Sequence, residues 1–299
     1  MPTRFGPSPQ ARAFLADPAN RDARDYDALA LPDWRAEARA MAEAEADRRA
    51  ATHGVTLDWQ AVGGVRSLVI TPGGGGEGQL LYLFGGAFIM GGPLEDLMIS
   101  AALAAGTGMQ VISPAYRLAP EHPFPAGLKD ALAVARAIRP GAVAGESAGG
   151  NLALGVTRDL VASGHAPRAL ALLSPAADMS PGFDPRNAPD DPTLNIAMID
   201  TIPGIYAPGT DPYEPRLSPL YGSVAPDWPA TLITTGTRDR FLPVCCQLAR
   251  ALREGGVRTD LRVWDGLWHV FEYYEAIPEA AASLSEIASF LKPRTEPRI

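Results

Sequence analysis

The sequence predicts an α/β fold in which a mostly parallel central sheet is flanked by helices. Short apolar or alternating segments typical of strands recur from about residue 55 onward. Amphipathic helical segments lie between the later strands, and strand, helix, strand alternation needs crossover connections that make neighbouring strands parallel. The predicted strands are VTLDWQAV, GVRSLVITP, QLLYLFGG, MQVISPAY, GAVAGESAGG, ALALLSPAAD, ATLITTGTRD and DLRVWDG.

Composition narrows the classes of protein to consider. The chain has 299 residues, 46% hydrophobic and 20% charged, and a formal net charge of -8. An acidic chain lacks the basic surface that nucleic-acid phosphates require, so no nucleic-acid partner is expected. Neither a signal peptide nor an apolar run of about 18 residues is visible, which predicts no membrane span and a cytoplasmic location.

The pattern along the chain predicts one domain with additions. Residues 1–51 are polar and alanine-rich and predict N-terminal cap helices, with Asp33 as a candidate N-cap. Residues 52–299 carry the strand and helix pattern. Between residues 176 and 227 the pattern gives way to Pro, Asp and Gly, and so long an irregular stretch predicts a cap or lid inserted over a site.

The segment AVAGESAGGNLAL contains a candidate nucleophile. Gly145, Ser147 and Gly149 match G-x-S-x-G, with an apolar strand before the motif and a helical run after it. A sharp strand-to-helix turn of this type lifts a serine hydroxyl above the sheet and needs small flanking residues. The flanking pattern favours a nucleophile elbow over a chance match.

A serine hydroxyl needs a general base, and that base needs a carboxylate partner. His269 follows the last strand and fits the chain order Ser, acid, His. Asp239 follows the strand ATLITTGT and is the first choice of acid, because sites in parallel sheets collect at the carboxyl ends of strands. Asp265 also ends a strand and is the second choice. The adjacent Cys245 and Cys246 lack metal-ligand spacing, and neither a metal nor another cofactor is expected.

Several longer segments resemble the bacterial hormone-sensitive-lipase-like branch of the α/β hydrolases. The matching segments run from about residue 79 to 291, and they are YRLAPEHPFPAGLKDA, GESAGGNLAL, RLSPLYG, TGTRDRFL and GLWHVF. The resemblance implies an α/β hydrolase fold with a helical cap, a Ser147, Asp239 and His269 triad, and a possible homodimer. It also implies that Glu146 stands where the family commonly has aspartate, in a role that orients loops.

The resemblance also gives a role to the paired glycines of LLYLFGGAFIMGG. The family carries His-Gly-Gly-Gly here, whereas this chain reads Phe84-Gly85-Gly86-Ala87. By position, the backbone N-H groups of Gly86, Ala87 and Ala148 are expected to form the oxyanion hole. Phe84 replaces the family's histidine and Ala87 its third glycine.

The function implied is hydrolysis of short- to medium-chain acyl esters through an acyl-enzyme. Phe84, Phe88 and Trp268 are candidate substrate contacts. Lactone or activated-amide hydrolysis at the same site is the nearby alternative. A non-catalytic ligand-binding protein on the same fold is the alternative from another class, and only the altered FGGA segment favours it.

Overall fold

The computed structural model describes residues 6–22, 30–182, 184, 186 and 190–292. Each of the eight predicted segments forms a strand, and all of these strands belong to one sheet. The strands are β1 (Val55–Val62), β2 (Val65–Pro72), β3 (Gln79–Leu83), β4 (Gln110–Pro114), β5 (Ala142–Glu146), β6 (Ala169–Leu173), β7 (Ala230–Gly236) and β8 (Thr259–Trp264).

The order across the sheet is β1-β2-β4-β3-β5-β6-β7-β8. The pairs β1 with β2 and β2 with β4 are antiparallel, whereas every pair from β4 to β8 is parallel. The predicted mostly parallel sheet is therefore confirmed. Because parallel strands end at the same edge, residues that follow β5, β7 and β8 are brought together there.

Helices cover the sheet wherever crossovers are needed. Helices are present between the later strands, as predicted, and the described residues contain eight α-helices. They are α1 (Pro9–Ala16), α2 (Leu31–His53), α3 (Leu97–Thr107), α4 (Ala126–Ile138), α5 (Ser147–Ala162), α6 (Ile196–Tyr206), α7 (Leu242–Glu254) and α8 (Pro278–Leu291).

Two details of the helices differ from the sequence-based expectation. Helix α2 begins at Leu31, so Asp33 lies in its first turn and is not the N-cap. Proline at the first helical positions needs no N-H partner, so Pro32 allows the helix to start earlier. Helix α6 lies inside the segment that was expected to be irregular, where the side chain of Asn195 accepts a hydrogen bond from Met198 N.

The core lies between the sheet and its helices. Strands β3, β5 and β6 read QLLYL, AVAGE and ALALL, and nearly every residue in them is buried. Both faces of a central parallel strand are covered, which explains continuous apolar runs in place of alternation. Edge strand β8 keeps exposed positions, consistent with its polar residues.

The N-terminal helix α2 is fastened to a loop that follows β3. The guanidinium of Arg35 donates to the carbonyl oxygen of Ile89 at 2.6 Å and also to that of Ala119. It pairs with Glu121 at 2.9 Å. A single planar side chain thus holds three points of the chain in fixed relation to helix α2.

The N-terminal residues also meet the segment that contains α6. Asp22 N donates to Pro192 O at 2.8 Å, and the side-chain amide of Asn195 donates to Asp22 O at 3.2 Å. Among the residues that the structure describes, none of the helices combines the length and apolar character needed to cross a bilayer.

Candidate active site

Ser147 lies at a sharp turn between β5 and α5. Its φ is +49°, a left-handed conformation that is costly for a residue with a Cβ. A Cβ at Gly145 would overlap the carbonyl oxygen of Gly149, and one at Gly149 would overlap that of Leu83. Both glycines of the motif are therefore required by close backbone approach, as the elbow prediction expected.

The imidazole of His269 joins Ser147 to Asp239. His269 Nε2 lies 2.9 Å from Ser147 Oγ, and His269 Nδ1 lies 3.0 Å from Asp239 Oδ1. An ionised carboxylate can only accept, so Nδ1 carries the proton and Nε2 is free to accept from the serine hydroxyl. These three residues follow β8, β5 and β7 and meet at the carboxyl edge of the sheet.

Asp239 is fully buried and well supplied with donors. Oδ1 accepts from Phe241 N at 2.8 Å, and Oδ2 accepts from Thr235 Oγ1 at 2.8 Å. Burial raises the pKa of Asp239, but the adjacent imidazole and the donated hydrogen bonds outweigh it and hold the pKa below its ordinary value. The carboxylate is therefore ionised at neutral pH.

The pKa of His269 shifts in the complementary direction. Burial lowers it, yet the charge and hydrogen bond of Asp239, together with Asp191 and Glu272, raise it above the ordinary value.

The second-choice acid, Asp265, is exposed, and its carboxylate lies 3.4 Å from Thr237 Oγ1. The structure brings Asp239 to His269 and leaves Asp265 in the neighbouring turn.

The paired glycines after β3 form a tight turn beside the serine. Ile89 N and Met90 N both donate to Gly86 O, at 3.1 and 2.9 Å. Gly86 has φ +97°, and a Cβ there would overlap the carbonyl oxygen of Met90. Ala87 follows with φ +56° although it carries a Cβ. The turn demands a glycine at the first of these positions and tolerates alanine at the second.

Two of the three residues expected to donate to the oxyanion, Ala87 and Ala148, lie at the serine. Ala87, Ala148 and Ser147 line the same cavity. Ala148 is the second residue of α5, so its N-H has no acceptor within the helix and is available to an anion. Gly86 lies in the turn that leads to Ala87 and does not line the cavity.

Glu146 explains why the position after Phe84 is glycine. Its buried carboxylate accepts from the N-H of Gly85, and a Cβ on Gly85 would overlap that carboxylate. Burial and the charges of Asp96 and Glu272 raise the pKa of Glu146 well above its ordinary value, against the Gly85 hydrogen bond that lowers it. Glu146 therefore stabilises the glycine turn through its hydrogen bond with the Gly85 N-H.

Comparisons with known proteins show which family the chain belongs to. Residues 80–273 match the family model described as the alpha/beta hydrolase fold. An acetyl-hydrolase of Streptomyces hygroscopicus is 32% identical over 228 residues, which are 72% of this chain and 76% of that protein. An esterase of Acinetobacter venetianus is 29% identical over 239 residues, which are 76% of this chain and 78% of that protein.

Solved structures give the same result. An esterase from the bacterial hormone-sensitive lipase family superposes with a TM-score of 0.82 at 26% identity, covering 96% of this chain and 99% of that one. A hormone-sensitive lipase from a metagenome library superposes with a TM-score of 0.82 at 28% identity, covering 96% and 98%. This chain is a hormone-sensitive-lipase-like α/β hydrolase. The predictions of the family and of an esterase-type hydrolase are confirmed at that level.

The serine of the hydrolase opens into a cavity of about 400 Å³. Phe88 lies in its wall and stacks on Tyr206 of α6, with ring centroids 3.8 Å apart. Most of the lining residues are apolar, and five are polar or charged. The lining residues are Ala87, Phe88, Ser147, Ala148, Ala176, Asp178, Met179, Ser180, Pro181, Arg186, Leu194, Met198, Ile199, Asp200, Ile202, Pro203, Pro212 and Phe241.

Two of the three candidate substrate contacts lie elsewhere. Trp268 is fully buried and stacks on Phe14 of α1 at 4.3 Å, in a core cluster separate from the main one. Phe84 is buried against Tyr116. Neither ring lines the cavity, so only Phe88 keeps the predicted position. Adjacency to His269 misled the expectation for Trp268, because the side chain that precedes His269 points into the core.

Sequence analysis missed the wall that α6 contributes. Met198, Ile199 and Ile202 line the cavity from this helix. Asn195 as an N-cap, followed by apolar residues at helical spacing, was the available signal. As for metal ions, the described ranges contain no group of three or more His, Cys, Asp or Glu side chains arranged to hold one.

Proposed function

We propose that the hydrolase cleaves carboxylic esters with short to medium acyl chains through a Ser147, His269 and Asp239 triad. The observation that carries the proposal is the hydrogen-bonded chain from Ser147 through His269 to Asp239, with its serine end in a largely apolar cavity. Names of relatives, such as acetyl-hydrolase and esterase, support the same class of substrate.

In the proposed reaction the Ser147 hydroxyl attacks the acyl carbon as its proton passes to His269 Nε2. The carbonyl oxygen becomes an oxyanion. In the proposal it accepts hydrogen bonds from the backbone N-H groups of Gly86, Ala87 and Ala148. Collapse breaks the ester C-O bond, and the alkoxide leaves with the proton from His269. Water then repeats the sequence on the acyl-enzyme and releases the acid.

We also propose that residues 1–51 and part of the segment 176–227 form a composite cap that selects the substrate. The hydrogen bonds between Asp22 and the segment from Pro192 to Asn195 support this grouping. So does the position of α6 in the cavity wall. The homodimer and the cytoplasmic location stay predictions.

The test is hydrolysis of p-nitrophenyl esters from acetate to dodecanoate by the purified protein and by Ser147→Ala. Turnover that declines with chain length and disappears in Ser147→Ala is the expected result. Turnover that survives in the folded Ser147→Ala variant refutes the proposed nucleophile. Lactones and activated amides are run in parallel, because preference for either supports the alternative hydrolase. Binding of esters without turnover by the intact protein supports the ligand-binding alternative.

A further inference from the structure

We propose that Asp191 is a positioning residue for His269, which it holds by the backbone while placing a second carboxylate beside the imidazole. The inference rests on the proposed role of His269 as the general base. Asp191 lies in the segment between residues 176 and 227, far along the chain from the triad.

The peptide groups on both sides of His269 are held by this segment. His269 N donates to Asp191 Oδ2 at 3.0 Å. The Thr193 hydroxyl lies 3.2 Å from His269 O and 3.0 Å from Asp191 Oδ1. A hydroxyl has one proton to donate, so Thr193 Oγ1 donates either to His269 O or to Asp191 Oδ1 at any moment. The hydrogen bond from His269 N to Asp191 is therefore the stronger of the two contacts to the His269 backbone.

Asp191 is buried, with 4% of its surface exposed. Its other carboxylate oxygen, Oδ1, accepts from Thr193 N at 2.9 Å and from Leu194 N at 3.1 Å. Burying a carboxylate is costly, and a neutral side chain could close the same turn. A negative charge at Asp191 stabilises the imidazolium, because the neighbouring His269 becomes cationic during the proposed reaction.

Three acidic groups surround the imidazole. Asp239 contacts Nδ1 directly, Asp191 lies on the backbone side, and Glu272 lies in the short turn after the base. The Phe241 ring meets the imidazole edge-on at 5.0 Å. The charge of each acid raises the pKa of His269. Removing the charge of Asp191 therefore lowers it.

The same segment also shapes the cavity. Leu194, the residue after Thr193, lines the cavity, and Met198 and Ile199 follow on α6. One short segment of chain thus supplies both the cavity wall and the Asp191 carboxylate that binds the His269 backbone.

The test compares wild type with Asp191→Asn and two other variants. An amide presents N-H groups to at least one of the N-H donors around Asp191, so a hydrogen bond and the charge are lost together. We expect kcat to fall about 10- to 100-fold with KM nearly unchanged, since small displacements of a reacting group have effects of this size. The acid limb of kcat/KM is expected to move to lower pH.

Thr193→Val keeps the charge, so it should lower kcat less and leave the acid limb in place. Asp227→Asn removes an exposed carboxylate and controls for net charge. A folded Asp191→Asn with wild-type kcat and an unmoved acid limb overturns the inference. A variant that is only less stable, with unchanged kinetics, overturns it as well, because Asp191 then has a structural role alone.

A second readout does not depend on turnover. Proton NMR of the His269 ring, in Ser147→Ala with and without Asp191→Asn, gives the midpoint of imidazole titration directly. A lower midpoint in the double variant supports the electrostatic role, and an equal midpoint refutes it. If wild type hydrolyses no ester, the proposed function fails, yet this titration still decides whether Asp191 acts on His269.

Discussion

Phe84 lies flat against Tyr116, with ring centroids 4.1 Å apart and planes 9° from parallel. The Tyr116 hydroxyl also donates to the carbonyl oxygen of Phe84 at 2.7 Å. The residue that replaces the family's histidine is thus held by packing, and its backbone is held by the tyrosine. The loop that leads to Gly86 and Ala87 keeps a fixed origin without an imidazole.

Phe84→Ala should therefore destabilise the protein strongly. Loss of a buried phenyl ring and its stacking partner is expected to reduce the free energy of unfolding by about 3 to 5 kcal/mol. Urea denaturation measures the change. Tyr213→Ala, at a side chain that is 50% exposed, is the control and should cost less than about 1 kcal/mol. Equal losses in the two variants would mean that the stack contributes nothing special.

Ala87→Gly should stabilise the protein. Ala87 adopts φ +56°, which costs an L-residue about 1 to 2 kcal/mol, while glycine gives back about 0.5 to 1 kcal/mol through the entropy of the unfolded chain. The net gain is expected to be up to about 1.5 kcal/mol, with kcat nearly unchanged because the N-H remains. Thermal and urea unfolding measure it.

The matched control is Ala44→Gly, at an exposed position inside α2. There the same substitution should destabilise by about 0.5 to 1 kcal/mol. Changes of the same sign at both positions would argue against strain at Ala87.

Met198→Trp should shorten the acyl chains that the hydrolase accepts. Met198 lines the cavity, and an indole in its place fills space that a long acyl chain would occupy. We expect kcat/KM for octanoate esters to fall roughly 10-fold or more relative to acetate. Met41→Trp, at a side chain that is 66% exposed, should leave the ratio unchanged. A fall that is equal for acetate and octanoate would assign the effect to general disruption.

Glu146→Gln should flatten the dependence of stability on pH. Burial, with the charges of Asp96 and Glu272, raises the pKa of Glu146 well above its ordinary value, so the folded state keeps a proton that the unfolded chain releases. This contribution to stability is complete below the ordinary pKa of glutamate and is lost as pH rises through the raised value. Glutamine does not titrate and cannot lose it.

Unfolding by urea at pH 5, 7 and 9 measures the effect. Wild type is expected to lose more stability between pH 5 and 9 than Glu146→Gln does. Asp96, whose pKa is raised to about 7 chiefly by burial, contributes in the same direction and remains in both proteins. Glu77→Gln, at an exposed glutamate, is the control and should retain the wild-type slope. Parallel slopes for wild type and Glu146→Gln would contradict the prediction.

The fold was predictable because its signals are local. Each strand carries its own apolar pattern, and the elbow around Ser147 needs only neighbouring glycines and the flanking strand and helix. Asp239 and Asp265 both end strands, however, and only the turn geometry shows that one meets His269 and the other faces solvent. Sequence order made Asp239 the first choice and Asp265 the second, but it could not show which of them contacts His269.

Other parts of the site depend on contacts between distant residues. Asp191 reaches His269 across 78 positions, and no periodic pattern marks such a bond. Helix α6 had a local signal in Asn195, but the surrounding Pro, Gly and Asp obscured it. Trp268 shows the opposite failure, because adjacency in sequence to the base did not predict the direction of its side chain.

The guanidinium of Arg35 binds carbonyl groups that belong to chain made much later. Ala119 follows it by 84 residues, so the ribosome must release that length before the helix has its partners. Helix α2 has few buried side chains of its own, namely Leu31, Ala42 and Ala50. Helix α2 therefore cannot dock through Arg35 until the chain as far as Ala119 has emerged, and the turn after β3 acquires its outer support only at that stage.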